Sequence, residues 1–258
     1  MALIQVYFSH EQRIAHIVLN RPEKANALTQ VMWEQLEQAV IEASALDGIR
    51  ALVLESASEK AFSAGADIAE LRAMINDPAR LSANHLSVQR ASLALDACVL
   101  PTLAVIRGAC VGGGLGLALA CDFRIADSSA RFALTPAKLG LSYSLNDTRR
   151  LQRIVGPSVA RRMLLLGEPL DALEATRVGL IETSYAPGDL LSKSTELLDA
   201  LACASPFAMR TIKATLQRIE RGQLEDDADT RAEFAAAFNA PDFIHAAGCF
   251  INKQPISF

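Results

Sequence analysis

Two short runs at the start of the chain, residues 3–8 and 13–20, alternate apolar and polar positions on either side of a polar turn at residues 9–12. This period of two predicts a β-hairpin. After Thr29 the apolar residues recur at intervals of three and four, which predicts a helix with Thr29 as its N-cap. The apolar run at residues 50–55 then predicts a short buried strand.

The alternation of strands and helices continues to about residue 146 and then changes. It comprises helices near 67–75, 79–98 and 113–121, and strands at 102–108 and 123–127. This order predicts a largely parallel sheet with right-handed crossovers. Beyond it strands nearly vanish, and helices are predicted near 157–166, 171–177, 187–204, 206–222, 226–239 and 241–253. We therefore expect an α/β core at residues 1–190 and a helical C-terminal region at 191–258.

Composition narrows the function classes. The 258 residues are 51% hydrophobic with a net charge of −4, enough for one sizeable core and without a basic patch for nucleic acid. Charged residues and glycines interrupt every long apolar run, and the N-terminus lacks the pattern of a signal peptide, so we expect a cytoplasmic protein with no membrane partner. The five cysteines form no CxxC pair, which favours small core residues over disulfides or a metal site.

Two glycine-bearing strings, AFSAGADIAEL (61–71) and RGACVGGGLGLALACD (107–122), carry the candidate chemistry. Small residues around Gly65 allow close approach to the backbone at a strand-to-helix turn. In the second string a strand leads through three glycines into a helix, whose free amide groups suit an anion or a developing oxyanion. A dinucleotide site is disfavoured because Leu117 and Leu119 stand where a third glycine is needed.

These strings resemble the crotonase superfamily, the enoyl-CoA hydratase/isomerase group. Further matching segments are LNRPEKANALT (19–29), RFALTPAKLGL (131–141), LLGEPLDALEATRVGLIE (165–182) and DFIHAAGCFINKQP (242–255). The resemblance implies an α/β spiral of ββα repeats with a helical trimerisation region, and hence a homotrimer or a dimer of trimers. It also implies an acyl-CoA substrate that brings coenzyme A with it, with no separate cofactor and no metal.

The resemblance also assigns the site. The backbone N–H groups of Ala66 and Gly113 would form an oxyanion hole for the thioester carbonyl and stabilise an enolate. Phe250 and Lys253 would reach the nucleotide of a neighbouring subunit, although a core position for Phe250 is an open alternative. The adenine and pantetheine path would be lined by Lys24, Ala25, Leu28, Ala64 and Ile68.

The sequence departs from the hydratases at the acid–base pair. Hydration uses two carboxylates, and their family positions fall here on Gly116 and Pro136. Gly116 is expected to leave empty volume for a bulky acyl group. Tyr143 lies in a stretch similar to that of methylmalonyl-CoA decarboxylases, in which a Tyr faces the acyl group. We therefore predict a decarboxylase-like lyase with Ala66, Gly113 and Tyr143 as catalytic groups.

Two alternatives remain open. An enoyl-CoA hydratase or isomerase would need a substitute acid or base, for which Tyr143, Asp147, His85 and His245 are candidates. Asp147 is interpreted as a helix cap beside Arg149 and Arg150 rather than as a site residue. The second alternative is a protein that binds acyl-CoA without catalysis. Lys138 is interpreted as a surface residue that could meet a substrate carboxylate.

Overall fold

The computed structural model describes residues 2–11 and 13–258. The predicted hairpin is formed by β1 (Ile4–Ser9) and β2 (Ile14–Leu19), which pair antiparallel with Ile4 opposite Leu19. Residue 12 of its predicted turn lies outside the described part of the chain. The hairpin is the antiparallel edge of a six-stranded sheet in the order β1-β2-β3-β5-β7-β10, whose remaining pairs are parallel.

The other elements follow in chain order, with most boundaries within two or three residues of those predicted. The strands are β3 (Ala51–Ser56), β4 (Ala61–Ser63), β5 (Thr102–Ile106), β6 (Ala109–Val111), β7 (Phe123–Asp127), β8 (Arg131–Ala133), β9 (Leu170–Asp171) and β10 (Thr183–Tyr185). The helices are α1 (Gln30–Ala45), α2 (Ile68–Met74), α3 (Pro78–Asp96), α4 (Gly113–Ala120), α5 (Pro136–Leu139), α6 (Leu145–Arg161), α7 (Ala172–Arg177), α8 (Leu190–Cys203), α9 (Pro206–Glu220), α10 (Ala228–Ala237) and α11 (Pro241–Ile251).

A second sheet, in the order β4-β6-β8-β9, was not predicted from the sequence. Its strands have two or three residues each, too short for a period of two to be visible. Strands β4 and β6 pair in parallel, which places Ser63 of β4 opposite Cys110 of β6. Because β4 leads into α2 and β6 leads into α4, this pairing brings the two glycine-bearing strings side by side.

Helix α4 is the centre of the core. Every residue from Gly114 to Ala120 is buried, so the helix is apolar on all sides as expected for one enclosed by other elements. Helices α3 and α6 pack against it, and α1 packs against α3. Thr29 caps α1 as predicted, since its side chain accepts a hydrogen bond from the Met32 amide.

A polar network stabilises the hairpin from one face. His16 Nδ1 lies 2.8 Å from Glu55 Oε1, and the Tyr7 hydroxyl donates to the same oxygen at 2.5 Å. Burial raises the pKa of Glu55, but the hydrogen bonds from His16 and Tyr7 outweigh it and lower the pKa below its ordinary value. Ser9 and His10 extend this network to α8 through a 3.0 Å contact of His10 with Asp199. His10 and His16 are therefore structural.

The region after residue 144 differs from the prediction in one helix. Helix α6 begins at Leu145, twelve residues before the predicted start, and a kink at Gly156 (φ 75°) precedes Pro157. Gly156 and Pro157 have the pattern of a helix start, so the sequence predicted a helix only from residue 157 and not its first half. A π-helical turn, Arg162–Leu166, continues it.

The C-terminal helices lie against the core through few polar anchors. Lys213 of α9 is buried and donates to Leu100 O and to Asp122 Oδ2, at 2.7 and 2.5 Å. Helices α9, α10 and α11 frame an apolar groove of about 730 Å³ with Phe234 and Phe238 on its wall. In the described part of the chain, no helix has the length and apolar character to cross a membrane. The division at residue 190, where α8 begins, stays a prediction.

Candidate active site

The first half of the site is a backbone bridge between residues 28 and 66. The Leu28 amide donates to Gly65 O at 2.7 Å, and the Asp67 amide donates to Leu28 O at 2.9 Å. In such a parallel bridge the N–H and C=O of the middle residue, Ala66, face away from the partner segment. Asp67 then caps α2 by accepting from the amides of Ala69 and Glu70.

Buried Asn26 holds this segment in place. Its amide nitrogen donates to Ala61 O and Phe62 O of β4, at 3.2 and 3.0 Å. The Ser63 hydroxyl donates back to Asn26 O at 2.8 Å and accepts from the Gly65 amide. Sequence reasoning missed both side chains, although each lies within a segment that carried the resemblance. They fix the turn that presents Ala66.

The second half of the site is the N-terminus of α4, which contacts the first half directly. Gly65 has φ of +90°, and a Cβ there would lie 2.9 Å from Val111 O and 3.2 Å from the Gly113 amide nitrogen. A Cβ on Gly113 would lie 3.8 Å from the Ala66 amide nitrogen. In the described residues neither amide donates to a protein acceptor. Two free N–H groups therefore lie side by side, as an oxyanion hole requires.

Trp33 of α1 packs against Gly113, beside the two free amides, and was not identified from the sequence. A Cβ on Gly113 would lie 3.0 Å from Trp33 Cζ2, so the indole edge leaves no room for a side chain there. The indole is 1% exposed, and within the described residues its Nε1 has no hydrogen-bond partner. The chain has a single Trp, a signal that could have drawn attention to it.

Gly116 does not leave empty volume, contrary to the prediction. A Cβ there would lie 3.3 Å from the Tyr143 hydroxyl and 3.5 Å from Asp147 Oδ2. The two side chains come from the segment before α6 and from its first turn. They occupy the space next to Gly116, on the same face of α4 as Gly113, because residues three apart in a helix are neighbours. A hydroxyl and a carboxylate thus lie one helical turn from the Gly113 amide.

The Tyr143 hydroxyl donates to the carbonyl oxygen of Gly112 at 3.3 Å. Burial, with the negative charge of Asp147 and the Cys110 thiol as smaller causes, raises the pKa of Tyr143 well above its ordinary value. The phenol is therefore neutral at physiological pH. Its proton is directed at the peptide group whose other end is the Gly113 N–H.

Asp147 is a buried group that faces the site and does not cap α6. The cap is Ser144, whose hydroxyl accepts from the Asp147 amide at 3.1 Å and donates to Asp147 Oδ2 at 2.7 Å. The other oxygen of Asp147 accepts from Arg150 at 3.0 Å. The spacing Ser-x-x-Asp is a capping-box pattern in the sequence, but it does not reveal which face of the helix is covered.

The other candidate acids, bases and cations lie elsewhere. Pro136 begins the short helix α5, and Lys138 donates to Gly167 O at 2.8 Å, so its ammonium is already bound within the protein. His85 is exposed, and its Nε2 lies 2.8 Å from the amide of Gln89. His245 is exposed on α11, with Nε2 3.1 Å from Ser257 O.

The residues predicted to line the coenzyme A path are partly brought together. The Ala64 amide donates to Ala25 O at 2.9 Å, which joins the two segments. Lys24, next to Ala25 in the sequence, and Ile68, four residues after Ala64, have exposed side chains. Leu28 is the exception, because its side chain is 1% exposed and packs in the core. Its backbone, in the bridge to residue 66, is the part that shapes the site.

Phe250 and Lys253 lie at the other end of the chain. Phe250 is 77% exposed on α11, so the alternative of a core position in this chain is wrong. Lys253 is also exposed, just after the helix. The prediction that the cysteines are core residues holds for Cys98, Cys110 and Cys121, which are buried, and is wrong for Cys203, which is exposed; Cys249 is partly exposed.

Comparison with known proteins agrees with this architecture. The chain is 30% identical to the short-chain-enoyl-CoA hydratase of Clostridium acetobutylicum, over 99% of this chain and 98% of that protein. A solved enoyl-CoA hydratase/isomerase family protein from Hyphomonas neptunium superposes with a TM-score of 0.95 at 33% identity, covering 100% of this chain and 97% of that one. An enoyl-CoA hydratase from Bacillus anthracis gives a TM-score of 0.91 at 27% identity, covering 100% and 98%.

The sequence itself matches the family described as Enoyl-CoA hydratase/isomerase over residues 9–258. This match includes both glycine-bearing strings and extends through the C-terminal helices. The α/β fold with its parallel sheets is that of the solved relatives. The chain therefore belongs to the enoyl-CoA hydratase/isomerase family of the crotonase superfamily.

Proposed function

We propose that this protein is an acyl-CoA enzyme that forms a thioester enolate and moves a proton with a single carboxylate, Asp147. The observation that carries the proposal is the position of Asp147 Oδ2, 3.5 Å from where a Cβ on Gly116 would lie. A hydratase of the family would place a glutamate at position 116. Asp147 approaches the same place from another element, and the family position at Pro136 holds no second acid.

The reaction that these groups support best is the shift of a double bond in an enoyl thioester. The Ala66 and Gly113 amides would bind the thioester oxygen, and the loss of one such donor typically costs ~10²–10³ in rate. The Asp147 carboxylate would take a proton from the α-carbon, and the electron pair of that C–H bond would enter the dienolate. The carboxylic acid would then return the same proton to the γ-carbon. Atoms and charge balance with no added water or cofactor.

Enoyl-CoA hydration is supported by the names of the relatives and less well by the side chains. Addition of water needs one group to activate the water and another to protonate the α-carbon. Asp147 could perform one of these roles, but the Tyr143 proton is directed at Gly112 O. The isomerase reaction needs one acid–base group, and the hydratase reaction needs two.

A decarboxylase-like lyase is the second candidate. Loss of CO₂ from a malonyl-type or methylmalonyl-type thioester leaves an electron pair on the α-carbon, so the oxyanion hole receives the enolate without a base. The neutral hydroxyl of Tyr143 supports this reaction as an orienting donor. Against it stands the charge of Asp147, which would repel a substrate carboxylate at the same position.

A panel of thioesters separates the candidates. With a 3-enoyl-CoA, an isomerase produces the absorbance of the conjugated 2-enoyl thioester, whereas a hydratase removes that absorbance from a 2-enoyl-CoA. A lyase releases CO₂ from malonyl-CoA or methylmalonyl-CoA. Turnover of only malonyl-CoA or methylmalonyl-CoA would overturn the isomerase proposal. Turnover of only 2-enoyl-CoA would replace it by hydration. Tight binding of all the thioesters without turnover would identify a binding protein.

We also propose that the chain acts as a homotrimer or a dimer of trimers. Phe250 and Lys253 are exposed on or beside α11, where a neighbouring subunit could receive them. The apolar groove between α9, α10 and α11 gives the same region a further surface to bury. Light scattering on the purified protein tests this proposal, and a monomer at micromolar concentration would contradict it. In a trimer, replacing Phe250 by Asp would weaken assembly.

A further inference from the structure

One buried arginine lies between two carboxylates behind the candidate site. Arg150 is 1% exposed, and its Nη1 lies 3.0 Å from Asp147 Oδ1. On its other side Nε donates to Asp96 Oδ1 at 3.1 Å, and Nη2 lies 3.1 Å from Asp96 Oδ2, an ion-pair contact without hydrogen-bond geometry. The two acids come from different helices, with Asp96 at the end of α3 and Asp147 in the first turn of α6.

We propose that Arg150 is a positioning residue that fixes the Asp147 carboxylate against Gly116, and that Asp96 sets how much of the Arg150 charge Asp147 receives. This inference rests on the proposed function of Asp147. Arg150 itself lies behind the carboxylate and acts on the reaction only through it.

The geometry fixes the orientation of the carboxylate. Asp147 Oδ1 is bound by Arg150, and Oδ2 is bound by the Ser144 hydroxyl at 2.7 Å. Because both oxygens are held, the plane of the carboxylate cannot rotate freely. Oδ2 is the oxygen directed at Gly116, at 3.5 Å from the position of a Cβ. A carboxylate held in this way needs no reorganisation before it takes a proton.

The electrostatics make the two acids competitors for one cation. The titratable or charged groups that face Asp147 are Tyr143 and Arg150, with Asp96 behind the arginine and the Cys110 thiol beside the tyrosine. Arg150 carries one positive charge and two carboxylates share it. In a buried site each acid therefore reduces the stabilisation that the arginine gives to the other.

Opposite shifts in a pH titration test this arrangement. Arg150→Gln should move the titration of the Asp147 carboxylate to higher pH, because a neighbouring cation favours the charged form. Asp96→Asn should move it to lower pH, because Arg150 then serves Asp147 alone. Arg150→Lys should restore part of the wild-type value. Carbon-13 NMR of aspartate labelled at Cγ measures these shifts without any substrate, with Asp147→Asn assigning the resonance.

Turnover of whichever thioester the panel identifies gives the second measurement. The acidic limb of kcat should move in the same directions as the titration, with KM little changed, since Arg150 does not contact the substrate. The inference is overturned if neither Arg150→Gln nor Asp96→Asn shifts the titration of Asp147 or the acidic limb of the pH profile of kcat. If Arg150→Gln fails to fold, Asp96→Asn and Arg150→Lys decide alone.

The failure of the proposed function gives a different pattern. If Asp147→Asn retains full turnover, Asp147 is not the acid–base group and the proposed function falls, whatever the titration shows. Suppose instead that Asp147→Asn abolishes turnover but Arg150→Gln and Asp96→Asn both leave the titration of Asp147 unchanged. The proposed function then stands and the proposed role of Arg150 falls. The exposed Asp47→Asn serves as the matched control for the substitution itself.

Discussion

The hydroxyl of Tyr143 donates to the carbonyl oxygen of Gly112 at 3.3 Å, and the same peptide group carries the N–H of Gly113. A hydrogen bond to the oxygen of a peptide polarises its N–H. Gly112 O also accepts the first hydrogen bond of α4, from the Gly116 amide at 3.0 Å. Tyr143 therefore contacts the peptide group that carries one of the two proposed oxyanion donors, whereas the resemblance predicts that its hydroxyl faces the acyl group.

Tyr143→Phe tests which of these roles the hydroxyl has. If it only polarises the peptide, we expect kcat to fall by roughly fivefold, the equivalent of about 1 kcal/mol for one long hydrogen bond. A phenol that transferred the proton itself would contribute ~10²–10⁴ instead. Steady-state kinetics on the active thioester separates the two values. Because burial raises the pKa of Tyr143, we expect wild type and Tyr143→Phe to share the same alkaline limb up to pH ~10.

Asp147→Asn removes the proposed acid–base group while keeping most of its shape. We expect kcat to fall by at least ~10² with KM little changed, as measured on the thioester that gives the highest turnover. Ser144→Ala, which frees one carboxylate oxygen, should give a smaller loss. Circular dichroism must confirm folding, because Arg150 loses a charged partner. Equal activity of Asp147→Asn and the Asp47→Asn control would contradict the assignment.

Gly113→Ala tests the proposed oxyanion hole. The new methyl group would lie 3.0 Å from Trp33 Cζ2, so either the indole or the start of α4 must move and the Gly113 amide moves with it. A displaced oxyanion donor should lower kcat by roughly 10–10³. The matched control is Gly248→Ala on α11, where a Cβ meets no atom within 4 Å. Comparable kinetics for the two variants would contradict the oxyanion role.

The contact of Arg21 with Asp67 predicts a pH dependence of stability. The Arg21 hydrogen bond and the backbone N–H of Glu70 lower the pKa of Asp67 below its ordinary value. A lowered folded-state pKa gives stability that is present above the unfolded pKa and is lost as the pH falls through the folded one. We expect Asp67→Asn to unfold more easily at pH 7, by roughly 0.2–1 kcal/mol, with the difference vanishing as the pH falls below the folded-state pKa. Urea unfolding at several pH values measures it, and a constant difference would contradict this account.

The periodic elements were predictable because their cause is local. The alternation in β1 and β2 and the helical spacing after Thr29 follow from which residues must face the core. The glycines at positions 65 and 112–114 also predicted a place where another group can approach the backbone closely, because glycines at the start of a helix leave its amide groups exposed. These local signals were enough for the fold class and, with the resemblance, for the family; the oxyanion hole stays a prediction.

The sequence by itself determined the parallel sheet, the α4 N-terminus and the absence of the hydratase acids at Gly116 and Pro136. Only the tertiary structure decided which side chains lie beside Gly116. Asp147 has the sequence pattern of a helix cap, and no local signal shows that its carboxylate faces Gly116, 31 positions earlier in the chain. That relationship depends on how α6 packs against α4. Burial against a distant element is a property of the packed core, which the spacing of residues along the chain does not encode.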